Sequence, residues 1–240
     1  MGFERNTLVK KTSTMEYENL TEGEHEARLI YVADCGMQPR EYRDDFKTPA
    51  QQISLCFEVL GSTVKVDGVE QPRTIWSKPF NIFGSMSGLS TEYAMFKAFV
   101  PTVQEDTVAD WKSVLGKPVN IIIKHFKKDA DTTYDNVAGL SSIPMKYQDK
   151  VEPAITPDFS IAGCEDEDSP AIKNLFGLAK FVHEKRITDL EGYLAELAAK
   201  VKAKEESEEA EKESKKATVS KGAQSVSEHE EFEMNESVPF

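Results

Sequence analysis

Residues 119–128 read Val-Asn-Ile-Ile-Ile-Lys-His-Phe-Lys-Lys and form the strongest strand pattern in the chain. Alternate side chains of a strand point to opposite faces of its sheet. One face of this segment carries Val119, Ile121 and Ile123. The opposite face mixes polar and aromatic side chains and carries Asn120, Lys124, Phe126 and Lys128. The pattern predicts a half-buried strand with lysines around a ring on its outer face, because two lysines cannot share a dry interior.

Four other segments show weaker strand patterns, and two short helices are predicted among them. The strands cover 27–33, 51–60, 73–83 and 132–137, with a hairpin turn at Asp67-Gly68. Residues 37–49 read as a polar loop. Ser90 can cap a helix over 91–99, and a second apolar face falls within 107–115. Five strands with helices between the third and fourth is the element order of an OB-fold. The predicted class is α+β, mainly β: a five-stranded OB-fold barrel with inserted helices.

The chain divides into four predicted regions. Residues 1–20 are a flexible N-terminal arm, and 21–150 form the barrel domain. Residues 151–203 hold an extended segment and C-terminal helices, one of which starts at Ser169-Pro170. Leu190, Leu194, Leu197 and Val201 then form a stripe that either docks on the body or pairs two chains, so a homodimer stays open. Residues 204–240 are predicted to be a disordered acidic linker and a partner-binding tip.

The negative charge is concentrated towards the C-terminus. Residues 1–150 carry 18 Lys and Arg against 21 Asp and Glu, whereas 151–240 carry 11 against 21. The body is therefore nearly neutral, and its overall acidity does not argue against nucleic acid, because a phosphate meets the local field. Three cysteines without a CxxC pair suit reduced thiols. The sequence shows neither a signal pattern nor a membrane span, which predicts an intracellular protein without a membrane partner.

The sequence offers little for catalysis. Its four histidines lack partners at metal-ligand spacing, and it has no glycine-rich phosphate loop or nucleophile elbow. A nuclease would need a cluster of carboxylates in space, and the pattern does not display one. We therefore predict a protein that is not an enzyme and that uses no cofactor and no metal.

The strand faces instead favour binding of single-stranded DNA. Such binding needs aromatic planes on which bases stack and cations that meet phosphates. The predicted stacking residues are Trp76, Phe80, Phe126 and Tyr134. The predicted phosphate-binding residues are Arg73, Lys78, Lys124, Lys127 and Lys128, with Arg40, Arg43 and Lys47 from the 37–49 loop. The facing of the third strand is ambiguous, so Trp76 and Phe80 could equally belong to the core.

The C-terminal tip is the other candidate binding element. The chain ends Glu236-Ser237-Val238-Pro239-Phe240, with Phe232 a few residues earlier. A solvated tail gives such an apolar tip nothing to pack on, whereas a partner can bind the ring in a pocket and the carboxylates at a basic rim. The predicted partner-binding residues are Phe232, Glu236, Val238, Pro239 and Phe240.

Three runs of sequence carry a resemblance to a known family. They are Glu22-Gly23-Glu24-His25-Glu26-Ala27-Arg28-Leu29, Trp76-Ser77-Lys78-Pro79-Phe80-Asn81, and Gly116-Lys117-Pro118-Val119-Asn120 through Thr133-Tyr134-Asp135-Asn136. The chain resembles the single-stranded DNA-binding proteins of tailed bacteriophages over residues 20–185. Its tip resembles the C-terminal peptide of the bacterial proteins and the acidic, Phe-ended tail of the T7-type phage protein. The tip departs from the bacterial pattern, because its acidic residues are fewer and are interrupted by Met234 and Asn235.

The resemblance implies a protein of the host cell cytoplasm that coats single-stranded DNA during phage DNA replication, recombination and repair. It also implies that the tail recruits the phage DNA polymerase or helicase-primase. The alternative from another class is a protein–protein adaptor or virion component, in which the barrel binds protein and the tail only aids solubility.

Overall fold

The computed structural model describes residues 15–16, 18–42, 45–127 and 133–222. Two predicted site residues, Arg43 and Lys128, lie outside these ranges, as does the whole C-terminal tip. Most of the predicted N-terminal arm lies outside them as well. The chain divides into two units, one ending at Thr188 and one beginning at Asp189.

The described residues form eight strands and six helices. The strands are β1 (Met15–Glu16), β2 (Gly23–Tyr42), β3 (Asp45–Val66), β4 (Val69–Trp76), β5 (Phe80–Ile82), β6 (Pro118–Lys127), β7 (Thr133–Ser141) and β8 (Ser160–Ala162). The helices are α1 (Thr91–Phe99), α2 (Trp111–Val114), α3 (Met145–Gln148), α4 (Pro170–Lys173), α5 (Gly177–Glu184) and α6 (Leu190–Gly222).

The strands make one curled and mostly antiparallel sheet. The long strands β2 and β3 pair along most of their length; β4 and β5 follow the other edge of β3. On the far edge of β2, β6 pairs with residues 23–28 and β8 runs parallel to residues 31–33. A bridge between Ser77 and Val137 links the segment after β4 to β7, which pairs with β6. The fold is therefore mainly β with a few helices, and its sheet bends back on itself.

The inner face of the sheet holds the main hydrophobic core. Ile121 and Ile123 of β6 are fully buried there, as their alternation with polar residues predicts. Helix α1 begins where predicted, because the Ser90 hydroxyl accepts a hydrogen bond from the Tyr93 N–H. The turn predicted at Asp67-Gly68 is also confirmed; both residues have positive φ, as a tight hairpin requires.

A second core covers the outer face of β2 and β3. Ile30, Ala33 and Cys56 point outward and are buried by small apolar side chains of β8, α4 and α5. The carboxylate of Glu58 is also buried here and accepts hydrogen bonds from the Ile155 and Thr156 N–H groups. The segment after β7 is therefore an integral layer on the barrel, and it occupies much of this outer face.

The predicted 37–49 loop is wrong for its described residues, because 37–42 belong to β2 and 45–49 to β3 at the far end of their pairing. Arg40 lies opposite Lys47 in this pairing. The Gln38 side chain is buried and donates hydrogen bonds to the Cys35 and Val182 carbonyls. The contact to Val182, 144 positions away, thus helps to hold a polar segment extended, and local composition does not reveal it.

Two other predicted elements are shorter or interrupted. The third strand breaks into β4 and β5, because the buried Ser77 turns its hydroxyl to the Leu55 N–H and Pro79 has no N–H to donate. The helix predicted over 107–115 is reduced to α2, which Asp110 caps by accepting from the Ser113 N–H.

Helix α6 extends further than the sequence predicted. Disorder was expected from residue 204, yet the helix runs to Gly222. Glu, Lys and Ala have high helix propensity, and Lys202 and Lys204 lie 3.9 Å from Glu206 and Glu208 one turn on. Within the described ranges, no helix combines the length and the apolar character needed to cross a membrane.

Glu92 in α1 gives a prediction about stability and pH. Its side chain is buried, and burial raises the pKa of this carboxyl group despite a hydrogen bond from the Trp111 indole N–H at 3.4 Å. The folded state therefore holds this proton more tightly than the unfolded chain, and stability is lost as pH rises above the ordinary glutamate pKa. Glu92→Gln is expected to raise the melting temperature at pH 7 and to leave it unchanged at pH 4. The exposed Glu70→Gln is the control; a lower melting temperature of Glu92→Gln at pH 7 contradicts the prediction.

Candidate nucleic-acid interface

Aromatic and basic side chains meet on the outer face of β6 and β7. Phe126 and Tyr134 are direct cross-strand partners, and their side chains are 57% and 46% exposed. The Lys78 ammonium lies 6.0 Å from the centre of the Phe126 ring. Lys124 and Lys127 are exposed on the same stretch of β6. We call Lys78, Lys124, Phe126, Lys127 and Tyr134 the β6–β7 cluster. The structure brings Lys78, Phe126 and Tyr134 together. Lys124 shares the face of Phe126, whereas alternation points the exposed Lys127 to the other side of β6.

A buried ion pair lies beneath the β6–β7 cluster. The Asp135 side chain is fully buried, and its Oδ2 lies 2.5 Å from Arg73 Nη2 and accepts from the Leu20 N–H at 3.0 Å. Arg73 also donates to the Glu18 carbonyl, and His125 Nε2 lies 3.5 Å from Asp135 Oδ1. The prediction that Arg73 binds phosphate is wrong, because its guanidinium is buried and engaged with Asp135. Arg73 lies on the inner face of the curled sheet, where its ion pair with Asp135 links β4 to β7.

The two aromatic residues of the third predicted strand lie outside the β6–β7 cluster. Phe80 is only 6% exposed, and its ring lies 6.1 Å from the Trp111 ring in the main core. The stacking prediction for Phe80 is wrong, and the core alternative is correct. Trp76 points outward but stacks on Tyr31 at 6.4 Å, while its indole N–H donates to the Asn174 carbonyl at 3.0 Å. These contacts bury Trp76 only in part, and its role as a base-stacking residue stays a prediction.

A second group of basic and aromatic side chains lies towards the far end of the hairpin. The Arg40 guanidinium carbon is 5.7 Å from the centre of the Phe83 ring, which is 50% exposed. Lys47 lies opposite Arg40 and is exposed. We call Arg40, Lys47 and Phe83 the hairpin cluster. Phe83 was not predicted as a site residue, although alternation along 80–83 places it opposite Phe80 and could have indicated its exposure.

The two clusters are close along the chain. Phe83 of the hairpin cluster comes five positions after Lys78 of the β6–β7 cluster, and β5 lies between them. An extended chain covers at most about 3.6 Å per residue, so their Cα atoms lie within roughly 18 Å of each other. The two clusters are therefore close enough for one extended ligand to contact both.

Acidic side chains set a limit to this basic surface. Glu22 and Glu24, at the start of β2, are exposed beside β6. Glu22 accepts a hydrogen bond from the His125 N–H, and Glu24 accepts one from the Ser141 hydroxyl. Carboxylates repel phosphates, so the first half of β2 is unsuited to a nucleic-acid backbone. These carboxylates therefore form an acidic edge beside the β6–β7 cluster.

The cysteines and acidic residues show little reactive chemistry. Burial raises the pKa of the Cys35 thiol to about 12 and the pKa of Cys56 well above its ordinary value. Burial also raises the pKa of Cys164. All three thiols are therefore protonated at neutral pH and are poor nucleophiles. Within the described part of the chain, no group of three or more His, Cys, Asp or Glu is placed to hold a metal ion.

Comparison with known proteins adds no relative. No family model matches the sequence, and no curated protein matches it either.

Proposed function

We propose that this protein binds single-stranded DNA without sequence preference, through the β6–β7 cluster and the hairpin cluster. The observation that carries the proposal is the exposed Phe126–Tyr134 pair with lysines around it. Bases stack on such rings whatever their sequence, and lysines attract the phosphates between them. The protein then acts by covering the strand rather than by chemistry.

The strand arrangement supports the idea that the barrel is an OB-fold. Its main strands pair in the order β4, β3, β2, β6 and β7, and the Ser77–Val137 bridge relates the last strand to the first. Helix α1 lies between the third and fourth of these strands in the sequence. A partly open five-stranded barrel of this kind commonly binds oligonucleotides. Since residues 151–188 occupy much of the outer face of β2 and β3, DNA is proposed to lie beside that layer.

The resemblance to phage proteins extends the proposal to a biological role. The protein would coat single-stranded DNA during phage replication, recombination and repair in the host cytoplasm. Fluorescence anisotropy of labelled oligo-dT at low salt tests the binding step. Saturable binding to the single strand, with weaker binding to a duplex of equal length, is expected. Failure to bind the single strand at low salt contradicts the proposal.

The C-terminal tip is proposed to recruit a replication protein such as the phage DNA polymerase or helicase-primase. Residues 228–240 contain five glutamates, which compete with phosphates for the same lysines. Deleting these residues is therefore expected to tighten oligo-dT binding at low salt and to abolish stimulation of the polymerase or helicase. A chain in which all five glutamates become glutamine is the matched control for charge. Unchanged DNA affinity after deletion would reject the competition.

A further inference from the structure

Helix α5 presents a second exposed aromatic and basic surface. Phe176, Leu178 and Phe181 are 72%, 51% and 56% exposed. Lys180 is exposed among them, and the Lys185 ammonium lies 6.0 Å from the centre of the Phe181 ring. The opposite side of the helix is anchored, because Ala179 and His183 are buried. Three large apolar side chains within six residues are costly to leave in water and indicate a binding surface.

This α5 surface adjoins the hairpin cluster. The Gln38 side chain donates a hydrogen bond to the Val182 carbonyl of α5 at 3.0 Å, and the Ile187 N–H donates to the Met37 carbonyl at 2.8 Å. Gln38 and Arg40 are two residues apart on β2, at a point where the β2–β3 register shifts, and their Cα atoms lie within about 7 Å of each other. Arg40 and its neighbour Phe83 therefore lie just beyond the end of α5.

The chemistry of the α5 surface repeats that of the other two clusters. Arg40 with Phe83, Lys78 with Phe126, and Lys185 with Phe181 are each a cation within 6.0 Å of the centre of a half-exposed ring. We propose that single-stranded DNA continues from the hairpin cluster onto α5. Phe181 and Phe176 stack bases, and Lys180 and Lys185 meet phosphates. This inference rests on the proposed function and adds a site to it.

The size of the apolar surface and the cation beside the Phe181 ring favour DNA over a protein here. At about 200 Å² per side chain, the three exposed apolar groups offer about 350 Å², well under the roughly 800 Å² that each partner of a stable protein complex buries. The nearby carboxylates of Glu165 and Asp168 are paired with Arg186 and Lys173 at 3.4 and 2.9 Å. Helix α5 itself contains the acidic Glu184 and the basic Lys180, and the basic Lys185 follows the helix directly.

Oligo-dT of two lengths tests the inference in the full chain. The double variant Phe176→Ala with Phe181→Ala is expected to weaken binding of a 30-mer about 30-fold or more and to leave a 6-mer unchanged, since only the longer strand reaches α5. Both side chains are exposed, so the variant is expected to fold; its circular dichroism and melting curve check this. Tyr147→Ala, which removes an exposed ring of α3, is the control and leaves both affinities unchanged.

The outcomes separate this inference from the proposed function. Wild-type affinity of the double variant for the 30-mer overturns the α5 site. The same result combined with weaker binding of both lengths by Phe126→Ala leaves the proposed function standing. If the intact protein binds neither length, the proposed function itself fails. If the double variant binds DNA normally but loses a protein partner, α5 is a protein-docking surface and the inference is wrong.

Discussion

Phe126→Ala is expected to weaken binding of single-stranded DNA by about 5- to 150-fold. Loss of one stacked base costs about 1–3 kcal/mol, and Phe126 is the exposed ring at the centre of the β6–β7 cluster. Its partner Tyr134 and the ammonium group of Lys78 remain in place, so the loss reports the ring alone. Anisotropy of a labelled oligo-dT at one fixed salt concentration measures it.

This reading of the affinity loss requires that the Phe126 ring contribute little to the stability of the fold. Phe126 lies at the exposed end of β6, so the variant should keep the melting temperature of the wild type. Tyr147→Ala removes an exposed ring of similar size that lies against Lys146 of α3 and Lys150, which follows the helix. That control should bind DNA as the wild type does. Equal affinities of the Phe126 and Tyr147 variants would mean that the β6–β7 cluster does not stack bases.

Asp135→Ala is expected to have the largest effect on stability. It leaves the Arg73 guanidinium, whose side chain is 6% exposed, without its buried counter-charge at 2.5 Å. Removing one partner of a buried ion pair typically costs about 3–5 kcal/mol, because the other charge stays desolvated and loses that attraction. The free energy of unfolding, measured in urea, should fall by this amount.

A surface ion pair provides the matched control for Asp135. Asp168 lies 2.9 Å from Lys173, but its carboxylate is almost fully exposed. Solvent screens such a pair, so Asp168→Ala should leave the unfolding midpoint nearly unchanged. A midpoint for Asp135→Ala that matches the Asp168 variant would show that the Arg73–Asp135 pair does not support the strands under the β6–β7 cluster.

Local periodicity predicted the parts of the fold in which neighbours in sequence decide the structure. The alternation in residues 119–128 correctly placed Ile121 and Ile123 inside and Phe126 outside. The Ser90 cap and the Asp67-Gly68 turn depend on residues within four positions, and both are confirmed. These features could be predicted because each follows from one segment alone.

Long-range contacts account for the errors. Arg73 reads as an exposed cation, but its partner Asp135 lies 62 residues away. Trp76 does lie on an outer face, but residues 151–188, which form a C-terminal layer, pack on that face. One of them is Asn174, at a separation of 98 residues from Trp76. Composition cannot show that a later segment packs on an earlier strand. The candidate site therefore keeps its β6–β7 part and loses most of its third-strand part.

The C-terminal layer also changes which surface is proposed to bind DNA. Glu58 and Cys56 of β3 face outward and are buried by residues 151–188. An uncovered barrel could offer this face to a nucleic acid, but here it is filled by the chain. The exposed basic and aromatic side chains lie beside the layer, at the end of β6–β7 and along the hairpin. The layer itself adds α5 to that surface.

The salt dependence of oligo-dT affinity tests the central claim most directly. Five cations of the two clusters are proposed to meet phosphates: Arg40, Lys47, Lys78, Lys124 and Lys127. For a single strand, each phosphate contact contributes about −0.7 to the slope of log affinity against log salt, so these five cations contribute about −3.5, to which Lys180 and Lys185 add about −1.4 where the strand reaches α5. The double variant Lys78→Gln with Lys124→Gln should reduce that slope by about 1.4. Absence of binding at low salt, or an affinity that does not change with salt, would contradict the account.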